Sequence, residues 1–163
     1  MPALQQPSHL AAELIAAAEN CAPVQPFSAR FESFSLADAA AVRQSWFEAQ
    51  LAAGHRSVGR KIGAVHRKWR GHAQFLDPGW GYILDSTLLI DGTELPASHL
   101  IQPRVEAEFA FLLARDLAGP GVTAAHALAA TAGVCAAFSE PQMDTGPTPQ
   151  MNTGPTGTTD EHR

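Results

Sequence analysis

Apolar side chains recur at helical spacing twice near the start of the chain. Over residues 9–20, Leu10, Leu14, Ile15 and Ala18 fall on one helix face. A Pro- and Ser-rich stretch around Pro23 to Ser28 interrupts the pattern. A second helix starts after Ser35, an N-cap residue with Asp38 at the third helical position. Its stripe is Leu36, Ala39, Ala40, Val42, Trp46, Phe47 and Leu51, and Gly54 ends it. Trp46 and Phe47 read as core.

From Ser57 the pattern turns to strand. Val58, Ile62 and Val65, with glycines between, predict a short bent strand. Residues 66–73 are basic and carry His66, Arg67, Lys68, Trp69, Arg70 and His72. They read as a solvated loop or as an anion-binding lid. Trp80 to Ile90 reads as strand, Asp91-Gly92 as a hairpin turn, and Thr93 to Pro96 as the return. Residues 104–114 form the longest strand expected. Thr123 can cap a helix through about Ala132, and Val134 to Phe138 reads as a last buried strand around an inert Cys135. Helices first and strands later give an α+β class, with N-terminal helices followed by part of a sheet.

The strand at 104–114 carries the most specific chemistry. Glu106 and Glu108, two residues apart, share one face of a strand. Their carboxylates are close enough to hold one hard divalent cation. A solvated edge strand also carries such pairs. Here, however, the same face continues as Ala110 and Leu112, and the opposite face is Val105, Ala107, Phe109, Phe111 and Leu113. Both faces read as buried beyond the acidic end, where unpaired carboxylates would be costly.

Composition narrows the function classes. The 163 residues suggest one domain with chain enough for a core, and a net charge of −5 leaves no basic footprint for nucleic acid. No apolar run approaches the roughly 18 residues of a membrane span, and no secretory signal is visible. Two cysteines, Cys21 and Cys135, are too few for a disulfide framework, so a cytoplasmic setting is expected. The histidines show no zinc spacing, and no Walker or dinucleotide fingerprint is present.

Four segments, in order, carry a resemblance. They are Gly59-Arg60-Lys61-Ile62-Gly63, Trp80-Gly81-Tyr82-Ile83-Leu84-Asp85-Ser86, Ile101-Gln102-Pro103-Arg104-Val105-Glu106-Ala107-Glu108, and Arg115-Asp116-Leu117. Together they resemble the 2-keto-4-pentenoate hydratase / 2-oxohex-3-enedioate decarboxylase family of the fumarylacetoacetate hydrolase superfamily. The resemblance runs from about Leu10 to about Phe138, and Gln102 to Leu117 is its specific part. It implies an incomplete fumarylacetoacetate hydrolase-like mixed sheet, Mg²⁺ or Mn²⁺ as cofactor, and Glu106 and Glu108 as metal ligands. It also implies Lys61 as the catalytic lysine of a Lys-x-Gly motif, and Asp85 and Ser86 as strand-end structure.

The chain departs from the family in two places. The position implied for a third acidic ligand is Ser139, with Glu140 directly after it. Either the strand is bulged and Glu140 serves as the ligand, or the third ligand is lost. The acid expected two residues before Gly81 is replaced by Gly79, with Asp77 the nearest acid, which leaves hydratase and decarboxylase both open.

The end of the chain is unlike the family. Residues 141–148 and 149–156 are a tandem eight-residue repeat with one change, Asp144 to Asn152, rich in Pro, Gly and Thr. Such a composition predicts a disordered or extended tail. The expected division is therefore 1–138 as the N-terminal portion of a hydratase-like domain and 139–163 as a low-complexity tail, with the family's C-terminal part missing. Two function classes follow. One is a lyase acting on a small 2-oxo or 2-hydroxydienoate acid of aromatic meta-cleavage, impaired by truncation, homo-oligomeric, and without nucleic-acid or membrane partners. The other is a non-catalytic remnant acting as a binding or oligomerisation module.

Overall fold

A computed structural model describes residues 6–63 and 79–139. The basic loop at 66–73, Glu140 and the repeat tail lie outside the described residues. Helix α1 spans Pro7–Glu19, α2 is the four-residue Phe27–Arg30, and α3 is Leu36–Ala52. Helix α2 falls where composition reads as loop. Helix α3 begins as its sequence dictates. The Ser35 amide donates to the Asp38 carboxylate at 2.8 Å, and the Asp38 amide donates back to Ser35 Oγ at 3.2 Å. This reciprocal capping box satisfies two backbone donors that the helix itself leaves unpaired.

The helices make their own small core. Leu10 and Ala11 of α1, Phe31 and Val42 are buried, with Leu14, Phe27, Phe34 and Trp46 packed around them. Arg30 stacks over Phe27 and Phe31 and ion-pairs with Glu13 of α1. Leu36, placed in the apolar stripe from spacing, is instead 81% exposed.

Strands β1 (Ser57–Ile62) and β2 (Trp80–Leu84) pair antiparallel, from Ile62 opposite Trp80 to Ser57 opposite Leu84. A bulge between Ser57 and Gly59 supplies the expected bend. Helix α3 docks on this pair through a parallel stack of Phe47 on Tyr82, 3.6 Å between centroids, and a hydrogen bond from Tyr82 OH to Gln44 Oε1. Arg43 lies 3.8 Å above the Trp80 ring and donates to the Trp80 carbonyl.

Strand β2 stops at Leu84, not at Ile90. The Asp85 carboxylate accepts from the backbone amides of Arg56 and Ser86, and Thr87 Oγ1 bonds both the amide and the carbonyl of Leu84. These bonds fold Asp85–Thr87 into one 3₁₀ turn. The Asp91-Gly92 turn forms, with Gly92 at φ +83° and the Thr93 amide donating to the Ile90 carbonyl. Residues 93–96 do not return as a strand. They are exposed and join no ladder, and Pro96 has no amide to offer one.

Strand β3 (Glu106–Leu113) and β4 (Thr131–Ser139) form the second antiparallel pair, and α4 (Ala124–Ala130) connects them. Thr123 caps α4 as expected, its Oγ1 accepting from the His126 amide. The helix ends earlier than Ala132 because Thr131 Oγ1 donates back to the Ala127 carbonyl and its backbone turns extended. The architecture is α+β, and both strand pairs among the described residues are antiparallel.

The second pair is not buried as its apolar sequence suggests. Phe109 is 79% exposed, Phe111 63% and Phe138 81%, and Cys135 is exposed rather than buried. A two-stranded ladder satisfies backbone groups along one edge of each strand but covers neither face, so a further layer must do that. Among the described residues no helix is long and apolar enough to cross a membrane.

The capping box gives a direct test. Ser35→Ala is expected to destabilise the chain by about 1 kcal/mol in urea unfolding at neutral pH. Hydrogen bonds from the Ser35 side chain and amide hold the Asp38 carboxyl below its ordinary range. A carboxyl with a lowered folded-state pKa adds stability above its unfolded pKa, about 3.9, and loses it as pH falls through the folded value. The stability gap between wild type and Asp38→Asn should therefore be full near neutrality and close in strong acid. A gap that widens in acid would contradict the assignment.

A candidate cation site between the two strand pairs

Three strands meet at one lysine. Lys61 projects from β1, Glu106 and Glu108 from one face of β3, and Ser139 from the end of β4. The register places Glu106 opposite Ser139 and Glu108 opposite Ala137, and pairing runs unbroken from there to Leu112 opposite Gly133. The ladder's irregularity lies at its far end, between Leu112 and Leu113. Among the described residues no bulge lies beside the carboxylates, and Ser139 is the described β4 side chain at the cluster. Glu140 lies outside the described residues.

The distances define a cradle of oxygens around one ammonium. Lys61 Nζ donates to Glu108 Oε1 at 2.5 Å, to Ser139 Oγ at 2.6 Å and to Glu106 Oε2 at 3.2 Å. The Ser139 hydroxyl donates to Glu108 Oε1 at 3.3 Å. An ammonium has three donors and no acceptor, and all three are matched here. The Lys61 side chain is 33% exposed, Glu108 37% and Glu106 51%, so the cluster is half in water.

The electrostatics follow from that geometry. Partial burial alone would lower the Lys61 pKa, but hydrogen bonds and charge attraction from Glu108 and Glu106 outweigh it and raise the value above an ordinary lysine. The hydrogen bond from Lys61 holds the Glu108 carboxyl below its ordinary range against some desolvation, helped by the Lys61 charge and Ser139. A burial-depressed lysine, which would serve as a base, is not what this arrangement gives.

The donor set suits a hard cation. Two carboxylates and a hydroxyl are the oxygen ligands that Mg²⁺, Mn²⁺ and Ca²⁺ select, and the ammonium stands as a cation among them. No group of three or more His, Cys, Asp or Glu side chains that could hold a metal exists among the described residues. Ser139 thus brings a neutral oxygen where a third acid was implied. The geometry of this hydroxyl was not legible from spacing beyond its position in the chain.

Asp85 behaves as strand-end structure. Its carboxylate takes the Arg56 amide at 3.0 Å and the Arg56 guanidinium at 3.2 Å, with His55 Nδ1 3.7 Å away. The Arg56 amide is the main reason its pKa is lowered. Arg56 and His55 carry no sequence signal that would pair them with Asp85.

No family model matches the chain. Similar proteins do. It is 39% identical over 132 residues to the 2-hydroxypent-2,4-dienoate hydratase of Pseudomonas putida, a match covering 80% of this chain and 60% of that one. It is 33% identical over 100 residues to the 2-oxo-hept-4-ene-1,7-dioate hydratase of Escherichia coli, covering 61% and 38%. In structure it superposes on the 4-oxalocrotonate decarboxylase from Pseudomonas putida G7, complexed with magnesium and adipate. That superposition has a TM-score of 0.77 and 25% identity, over 86% of this chain and 54% of that one. The chain spans about half the length of the relatives it matches. With the Lys61, Glu106 and Glu108 motifs brought to one point in that fold, the chain resembles the 2-keto-4-pentenoate hydratase / 2-oxohex-3-enedioate decarboxylase family in sequence and in fold.

Proposed function

We propose that this chain carries the cation-holding half of a lyase of aromatic meta-cleavage catabolism. The enzyme would hydrate a 2-hydroxydienoate or decarboxylate a 2-oxo-hexenedioate, both small acids, in a cytoplasmic setting. The observation that carries the reading is the convergence of Lys61, Glu106, Glu108 and Ser139 within hydrogen-bonding distance of one ammonium. The names of the relatives support the substrate class, and the magnesium complex of the structural neighbour supports the metal.

Glu106 and Glu108 would hold Mg²⁺ or Mn²⁺, with Ser139 as a neutral neighbour. A bound divalent ion supplies Lewis acidity at a chelated 2-oxo acid and stabilises charge at its 2-oxygen. Lys61 acts as the catalytic residue in its protonated form. Its ammonium is suited to stabilise negative charge on the substrate or to deliver a proton. Two carboxylates with a hydroxyl beside them would bind the metal weakly and leave turnover impaired, and Glu140, next in sequence, is the candidate for a third carboxylate. The acid/base partner that would separate hydration from decarboxylation is absent at Gly79.

Mn²⁺ should raise the thermal midpoint by linkage, and Glu106→Gln combined with Glu108→Gln should remove that shift. A full shift in the double variant would reject the pair as ligands. Where wild type shows measurable loss of dienoate absorbance, Lys61→Ala should lose it. Ser139 ends β4 and pairs with Glu106, one residue past the expected boundary at 138, so the appendage is proposed to begin after it. Deleting 141–163 should then change unfolding stability by less than about 1 kcal/mol, and a larger loss would move the boundary.

A second reading is favoured by one observation. Phe109, Phe111 and Val134 lie on one face of the second strand pair with Phe138, all more than half exposed. An uncovered apolar face of this kind drives association. On this reading the chain is an oligomerisation module, and it forms homo-oligomers on either reading. Light scattering should show concentration-dependent association that falls in Phe109→Ser with Phe138→Ser. A monodisperse monomer with metal-dependent turnover would dismiss the module and leave the enzyme.

A further inference from the structure

The cluster already contains a cation. Lys61 Nζ occupies the space enclosed by Glu106, Glu108 and Ser139, at 3.2, 2.5 and 2.6 Å from their oxygens. Its three donors take up the same oxygens that a divalent ion would need. Two carboxylates facing one ammonium leave a formal charge of −1, enough to attract a cation but shared with a charge that is tethered in place. We infer that Lys61 is the built-in competitor of the metal at this site: a divalent ion enters only when the ammonium is displaced from the Glu106–Glu108–Ser139 cradle. This inference rests on the proposed metal-holding role of Glu106 and Glu108.

The physical terms favour a reversible exchange. Side chains exposed by 33%, 37% and 51% form ion pairs that water and salt weaken, so the ammonium is held loosely enough to leave. A lysine stem is long and flexible, and its head can swing into solvent while its strand stays paired. In the apo chain the ammonium spares Glu106 and Glu108 the cost of facing each other uncompensated across two residues of β3. In the loaded chain the displaced ammonium would stand beside the site, free to meet an anionic substrate. Ser139 sets the balance, since a hydroxyl can accept from the ammonium without adding the charge that would favour a divalent ion over it.

The chain has two lysines, Lys61 and Lys68, which makes the exchange directly readable. Mn²⁺ binding is measured from the electron paramagnetic resonance signal of free Mn²⁺, on the full chain. Lys61→Met and Lys61→Gln should each bind Mn²⁺ about fivefold or more tightly than wild type. Arg60→Met, which removes the same charge from the adjacent residue on the other face of β1, should leave affinity unchanged. Equal or weaker binding in the Lys61 variants, or an equal gain in Arg60→Met, would overturn the inference while leaving the metal site intact. Mn²⁺ binding that survives Glu106→Gln with Glu108→Gln would instead reject the site itself, and the inference with it. A second measurement needs no substitution. Reductive methylation of Lys61, followed by mass spectrometry, should be faster with saturating Mg²⁺ than without it. An unchanged or slower rate would also overturn the inference.

Discussion

The Lys61 ammonium spans the gap between the two strand pairs. Each pair satisfies its own backbone through its own ladder, so backbone bonding alone gives no reason for β1 and β3 to approach. The side chain of Lys61 supplies one, reaching from β1 to two carboxylates on β3 and a hydroxyl on β4. The glutamates depend on it in turn. Two like charges on one face of a strand repel, and a single cation between them converts that repulsion into attraction for both. Partial exposure keeps the gain modest.

The register of the second pair decides what else joins. Glu106 sits opposite Ser139, so among the described residues the third oxygen at the cluster is a hydroxyl. The same β3–β4 ladder points Phe109, Phe111 and Phe138 away from the site into solvent. One face of the strand pair thus carries the polar cluster and the other exposed apolar side chains. The 4-oxalocrotonate decarboxylase shares this fold, and the chain covers about half of it.

Around the site, helix α3 acts as the support of the first pair. Its stack of Phe47 on Tyr82 and the Arg43 contacts at Trp80 hold β2, and β2 holds β1 in register with Lys61 opposite Gly81. The capping box at Ser35 therefore matters to the site through position alone. It fixes where α3 begins, and so which of its residues face the strands.

Features set within a few residues were legible in the sequence. The α3 cap at Ser35 and Asp38, the α4 cap at Thr123, the Asp91-Gly92 turn and the shared face of Glu106 and Glu108 all follow from local hydrogen bonding or strand period. The resemblance to hydratases was legible too, since motif order is a property of the chain. The length of β2 was not. It depends on Asp85 meeting Arg56, 29 residues away. Nor was the exposure of Phe109, Phe138 and Cys135, because an apolar strand looks the same in sequence whether or not a layer covers it. The cradle itself came only from tertiary structure. Lys61 lies 45 residues from Glu106 and 78 from Ser139, and strand register alone decides whether a serine or its neighbour meets them.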